Sequence, residues 1–338
     1  MNILYVCNPT TRRWARLPPP PCSGDHYWGR RRAFLVFDPA VSPHYKVLLS
    51  PVEPSDNDGE EEKDACRSME WPPSPWTWHE FSSRRGRWEK KVFVREGEAA
   101  GKVGELLFHS IGLYGFECRW RYAAYWQGEL YIHCRGEYVS RLSLLNDKYQ
   151  VIKSPIDLAE CKNHNVRSFL GRSEKGIYFA AIDRTGKLRV WILSESSDHQ
   201  MGWVSKHQST LKTSSWWLHE QKYDELKIDA PWIMDIPNTK RYKDTQQDVC
   251  WNSDDDDIID VSDDEEDSYD RYVKFLGFHP YKEVIFLCRE GYAAVACHLN
   301  TSKVQYLGEI HLGGTYNRGQ RESFVYTPCL NWRLAHAS

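Results

Sequence analysis

A chain of 338 residues, 41% of them hydrophobic, is long enough for one large domain or two ordinary ones and carries ample material for a core. Its formal net charge of -3 excludes the broad basic field of a general nucleic-acid binder. Fifteen Trp, 19 Tyr and 12 Phe point to an all-β protein, because aromatic residues favour strands and anchor repeated β units.

The N-terminal MNILYVCNPTTRRW lacks a basic region followed by an apolar one, and no run reaches the roughly 18 apolar residues needed to span a bilayer, so an intracellular protein is expected, cytoplasmic or nuclear. The ten cysteines are scattered singly, several in strand-like runs, and read as free thiols. A strand over Ile3 to Cys7 ends in the turn Asn8-Pro9-Thr10-Thr11, and the return strand is expected to carry Trp14 inward. Ala33 to Phe37, the turn Asp38-Pro39 and Tyr45 to Leu49 repeat that layout. Residues 51–75 are acidic and proline-rich and read as a surface loop. Trp76 to Phe81, the turn Ser82 to Gly86, and a strand through Trp88 and Val92 to Val94 follow. Glu96 to Gly104 is a polar connection.

The stretch Ala123 to Pro155 is the clearest: strands at Ala123–Trp126, Glu129–His133, Tyr138–Leu144 and Tyr149–Lys153, separated by Gln127-Gly128, Arg135-Gly136 and Asn146-Asp147. Such a meander cannot bury both faces alone and must pack on similar units. A loop at Pro155–Val166 leads to another, with strands at Gly176–Ile182, Lys187–Leu193 and Gly202–His207. Thr210 to Gln247 is weakly patterned, with a short helix at Ser214–Leu226. Residues 253–270 form an acidic, disordered insertion. The last meander takes Val273–Phe278, Glu283–Cys288, Ala293–Leu299 and Val304–Leu307, and Ser323–Thr327 offers a final strand that could close the first unit.

Trp14, Trp88, Tyr149, Trp203 and Tyr306 end successive units at intervals of roughly 50 residues or multiples of that once loops are allowed for. That period fits four-stranded propeller blades, so the expected fold is a single-domain β-propeller of about six blades spanning 1–338, with an incomplete first blade.

No catalytic pattern stands out. Gly97 to Val103 has the wrong spacing for a phosphate loop, and Val103 stands where a magnesium-binding hydroxyl belongs. No cysteine pair has zinc spacing, and His133 and Cys134 are strand neighbours pointing to opposite faces. Neither cofactor nor metal is expected, and the chain reads as a non-enzyme. Candidate partner-binding residues are the basic cluster Arg30, Arg31 and Arg32, the adjacent Trp216 and Trp217, and the acidic segment. There Ile258, Ile259 and Val261, embedded in carboxylates beside Ser262, are similar to a SUMO-interacting motif, which adds as a strand to its partner's sheet edge. Loops at Tyr114–Trp120 and Ser214–His219 are further candidates.

The phrases VCNPTTRRWARLP, AFLVFDPAVSPHYKVLL, FSSRRGRWEKKVFVREGEAAG, AAYWQGELYIHC, SLLNDKYQVIKSP and LGFHPYKEVIFL resemble the C-terminal associated domain of plant F-box proteins, especially the grass group. The resemblance implies a kelch-like propeller that selects a protein substrate for a cullin-RING ubiquitin ligase. Nothing in this chain resembles the F-box that in this family docks on a Skp-type adaptor, so either it is encoded upstream or the link to the ligase is lost. The alternatives are a ligase-independent interaction scaffold and a propeller enzyme acting on carbohydrate.

Overall fold

The computed structural model describes residues 3–21, 31–52, 67–108, 122–134, 136–156, 166–196, 200–211, 273–289 and 293–309. Strand is the dominant regular structure among these residues. Twenty strands and one short helix, α1 (Val103–Phe108), follow one another with hairpin connections predominating. The expected all-β class is what the chain adopts.

Its repeating unit is a four-stranded meander. In the first, β3 (Ala33–Val36), β4 (Lys46–Leu49), β6 (Trp76–Ser82) and β7 (Arg87–Glu96) lie side by side, every neighbouring pair antiparallel. The second, β9 (Ala123–Trp126), β10 (Glu129–Cys134), β11 (Tyr138–Ser143) and β12 (Lys148–Lys153), repeats that order. The two merge into one eight-stranded sheet, because β7 and β12 pair in parallel over Val94–Lys148, Arg95–Tyr149 and Glu96–Gln150. The third four-stranded unit forms its own sheet, ordered β13 (Arg167–Ser173), β14 (Gly176–Ile182), β15 (Lys187–Glu195) and β16 (Met201–Thr210). The fourth is β17 (Val273–Phe278), β18 (Val284–Arg289), β19 (Ala293–His298) and β20 (Val304–Glu309), all antiparallel. Two small sheets complete the set: β1 (Tyr5–Asn8) with β2 (Arg13–Arg16), and β5 (Glu70–Trp71) with β8 (Gly101–Lys102).

Turn chemistry fixes these registers. Trp126 pairs with Glu129, leaving a two-residue loop in which Gln127 and Gly128 have φ of 49° and 86°. That is the geometry a tight hairpin needs to match strand twist, and Gly128 meets it without a side-chain clash.

The chain divides into two compact units, one of Met1–Ala180, Trp191–Ser205 and Tyr326–Ser338, the other of Ala181–Val190 and Lys206–Val325. Within the first unit, β9 lies beside both β3 and β13, so the opening strands of three successive meanders are neighbours. One core cluster there joins the first two meanders through Phe34, Leu48, Trp76, Trp78, Phe93, Leu130, Ile132, Leu142 and Tyr149. Trp76 lies edge-on to Trp78, with ring centroids 5.0 Å apart, and packs against Tyr149 at 5.2 Å. Burying side chains of this size contributes roughly 1.5–3 kcal/mol each. A second cluster sets Val6 and Leu17 of the N-terminal hairpin region against Tyr45, Val47 and Phe81. In the other unit, Phe275, Phe278, Ile285, Leu287, Val295 and Leu299 are buried.

Three last-strand aromatics reach back along the chain in the same way. Trp88 Nε1 of β7 donates to the Pro18 carbonyl at 2.8 Å, and Trp203 Nε1 of β16 donates to the Lys153 carbonyl at 2.8 Å. The Tyr149 hydroxyl of β12 lies 2.9 Å from the Pro72 carbonyl and 3.0 Å from that of Pro73. The expected equivalence of Trp88, Tyr149 and Trp203 therefore holds at the level of hydrogen bonding.

Trp14 departs from expectation. It points outward and is 65% exposed, because Cys7, its cross-strand partner, lies on the solvent face while Val6 and Ala15 face the core cluster. A one-residue difference in phase reverses the face of every side chain on a strand. Strand β13 was not expected as a strand: Arg167-Ser168-Phe169-Leu170-Gly171-Arg172-Ser173 lacks the usual alternation, yet Phe169, Leu170, Gly171 and Ser173 are buried.

Candidate interaction surface

Of the sequence-derived site residues, Arg31 and Arg32 are described, at the entry to β3. Arg32 N donates to Ser50 Oγ at 2.8 Å, Ser50 N returns a bond to the Arg32 carbonyl at 2.8 Å, and Arg31 Nη1 donates to the Ser50 carbonyl at 3.0 Å. Both residues are half-buried. The two residues thus lock the start of β3 to the end of β4. Arg31 also acts on the imidazole of His79: burial lowers the His79 pKa first, and the charges of Arg31 and Lys90 lower it further. Arg30, Trp216, Trp217, Ile258, Ile259, Val261 and Ser262 lie outside the described residues, as do the loops Tyr114–Trp120 and Ser214–His219.

The buried titratable groups are tied into the framework. His133 Nε2 lies 3.2 Å from Glu137 Oε2 across the β10–β11 turn, both side chains buried, and the imidazole edge meets Phe179 at 5.1 Å. Cys134 Sγ is 3.4 Å from Ser140 Oγ. His133 and Cys134 thus engage different partners, as strand neighbours must.

On the same sheet the Tyr131 hydroxyl donates to Glu129 Oε2 at 3.0 Å, Arg141 pairs with that carboxylate, and Arg141 Nη1 donates to Gln150 Oε1 at 3.3 Å. Burial first, and then the Glu129 carboxylate, raises the pKa of Tyr131. Arg95 joins Glu70 and donates to the Pro72 carbonyl at 2.9 Å, beside the Tyr149 hydroxyl, whose pKa burial pushes up to about 12. Such fixed pairs hold strands in register. Among the described residues no cluster of three or more His, Cys, Asp or Glu side chains could hold a metal ion.

What remains available is surface, and its most distinctive part is the N-terminal hairpin. On the solvent face of β1 and β2, Tyr5 pairs across the strands with Arg16, and Cys7 with Trp14. Tyr5 is 50% exposed, and its ring meets Trp14 edge-on at 5.5 Å. Arg12, with φ of 53°, forms the end of the turn, and Arg12, Arg13 and Arg16 are all exposed. In the β6–β7 turn, by contrast, Arg85 and Arg87 both pair with Glu89, whose pKa is lowered chiefly by its hydrogen bond to Arg87.

Neither a protein-family model nor a curated protein matches this sequence.

The sequence pattern places Trp14 in the core and so conceals the hairpin surface, on which Trp14 is exposed. A usable signal was present nonetheless: the first 24 residues contain three Arg and no Asp or Glu, in a chain with an overall acidic excess.

Proposed function

We propose that this chain is a non-enzymatic protein-interaction domain, a kelch-like β-propeller of about six four-stranded blades that resembles the substrate-recognition part of an F-box protein. The observation carrying this reading is the adjacency of β3, β9 and β13, the first strands of three successive meanders. In a propeller the innermost strands of consecutive blades line a common axis; here the last strands β7 and β12 also pair, so the first two units share one sheet. The reach-back bonds of Trp88, Tyr149 and Trp203 are consistent with one structural role repeated on successive outer strands.

A propeller of this kind presents its inter-strand loops to a partner, the strands serving as scaffold. The fixing of Glu129, Arg141, His133 and Glu137 to neighbours within the sheets leaves recognition to exposed side chains. The partner would be a protein substrate, and a Skp-type adaptor would join only through an F-box encoded upstream. The acidic segment around Ile258 to Ser262 would serve as a separate strand-forming motif for a SUMO-like partner.

Affinity purification of the tagged chain from plant tissue tests the reading. Specific protein partners recovered without cullin or Skp-type subunits are the expected outcome for this chain alone. Adding an upstream F-box should bring the ligase subunits into the complex. Recovery of no specific partner would overturn the interaction reading, and failure of the F-box fusion to recruit the adaptor would overturn the ligase link.

A further inference from the structure

The β1–β2 hairpin has two different faces. Its inner face, with Val6 and Leu17, is sealed against Tyr45, Val47 and Phe81. Its outer face carries two large exposed aromatic rings in mutual contact and a cation directly across from one of them. Single exposed aromatics are ordinary on protein surfaces, but a touching pair beside three arginines is a structured patch.

Arg12, Arg13 and Arg16 form no ion pair among the described residues, whereas Arg85 and Arg87 share Glu89, Arg95 pairs with Glu70 and Arg141 with Glu129. The contrast is local, since the chain as a whole is net acidic. Among the described residues β1 and β2 pair only with each other, whereas the other principal sheets have four or eight strands.

We propose that the solvent face of the β1–β2 hairpin, formed by Tyr5, Trp14 and Arg16 with Arg12 and Arg13 at its tip, docks an acidic, extended peptide segment of a partner protein. This rests on the interaction reading given above and places one contact surface for it. Carboxylates of the segment meet the guanidinium groups, which recognise them in bidentate geometry. Apolar side chains of the segment pack on the Tyr5–Trp14 pair, whose large rigid rings lose little conformational entropy on binding. The acidic balance of the whole chain favours a short peptide over nucleic acid, which needs a broader basic surface.

The test uses the full chain and a fluorescein-labelled octapeptide of alternating valine and glutamate, followed by anisotropy at low salt. Saturable binding that weakens with added salt is expected. Trp14→Ala and the triple variant R12E/R13E/R16E should each weaken it by about tenfold or more. These positions are exposed, so both variants should keep the thermal unfolding midpoint of the parent chain.

Absence of binding by the parent chain, unchanged binding by either variant, or tighter binding of a twelve-residue oligothymidine than of the peptide would overturn the proposal. Affinity purification with the triple variant separates the two readings. Loss of an acidic partner supports the docking surface. Recovery of every partner at parental yield refutes the surface and leaves the interaction reading intact.

Discussion

The indole of Trp203 donates its Nε1–H to the carbonyl of Lys153 at 2.8 Å, tying β16 to the end of β12 fifty positions earlier in the chain. The same ring packs against Phe179 with centroids 5.5 Å apart. One side chain therefore supplies both apolar contact and a directional link between successive meanders.

Trp203→Phe keeps most of the ring and removes the donor, leaving the Lys153 carbonyl without it. A loss of about 1–2 kcal/mol is expected in urea unfolding, with a matching loss for Trp88→Phe, which severs the bond to Pro18. An unchanged midpoint in both variants would show that these bonds contribute nothing to stability.

Gly186 stands at φ of 77°, and a Cβ placed there would come within 2.5 Å of the Leu211 carbonyl oxygen. Its own carbonyl accepts from Leu211 N at 2.8 Å, so the backbones cannot separate without losing that bond. Gly186→Ala is expected to cost about 2 kcal/mol or more. Gly202→Ala, where a Cβ meets nothing within 4 Å, should be neutral or slightly stabilising. Thermal melts of the two variants make the comparison.

His207 lies between two partners, its Nδ1 2.8 Å from the Leu299 carbonyl and its Nε2 2.8 Å from Ser209 Oγ. A neutral ring satisfies both, donating from Nδ1 and accepting at Nε2. Burial lowers its pKa, and the bond to Leu299 opposes that shift in part. Below the ordinary imidazole pKa of about 6.5 the unfolded chain takes up a proton that the folded chain resists. Stability is therefore complete above that pH and falls as the pH drops through the lowered folded value. His207→Gln should flatten the stability profile between pH 7 and pH 5, read by urea midpoints; an equally steep profile would assign the effect to other groups.

Cys297 is buried in β19, and burial pushes its thiol up to about 12. Cys134 and Cys288 are buried too, whereas Cys7 is exposed. Brief iodoacetamide treatment at pH 8 should label Cys7 and spare the other three until denaturant is added, as read by peptide mass spectrometry. Native labelling of Cys297 at the rate of Cys7 would contradict the burial described.

Strands were legible where alternation met turn residues. Ala123–Trp126, Gly176–Ile182 and Val273–Phe278 begin and end where the pattern places them, since both turn chemistry and period act locally. Strand β13 and the β5–β8 pair were not, because their assignment depends on what packs beside them. Trp14 shows the same limit: an aromatic residue on a short strand has two faces to choose from, and only Val6 and its core neighbours decide. For Arg31, the deciding partner is Ser50, 19 residues onward, which no local pattern reveals. Exposure and ion pairing, the two properties that define the hairpin surface, are tertiary properties. Charge composition hinted at them without locating them.

The parallel join between β7 and β12 also imposes an order on synthesis. Val94 emerges before its partner Lys148, with roughly 50 residues still to be added, a delay of several seconds at ~5–20 residues per second. During that interval β7 presents an open edge carrying Val92 and Val94, both exposed even in the finished fold. Lys90 and Lys91 sit immediately before them on the strand, and charges so placed discourage pairing between nascent chains. When β12 arrives, Lys91 meets Asp147 and Lys148 meets Glu96 at the join. Lys91, which guards the edge on the ribosome, thus becomes part of the clasp that closes it.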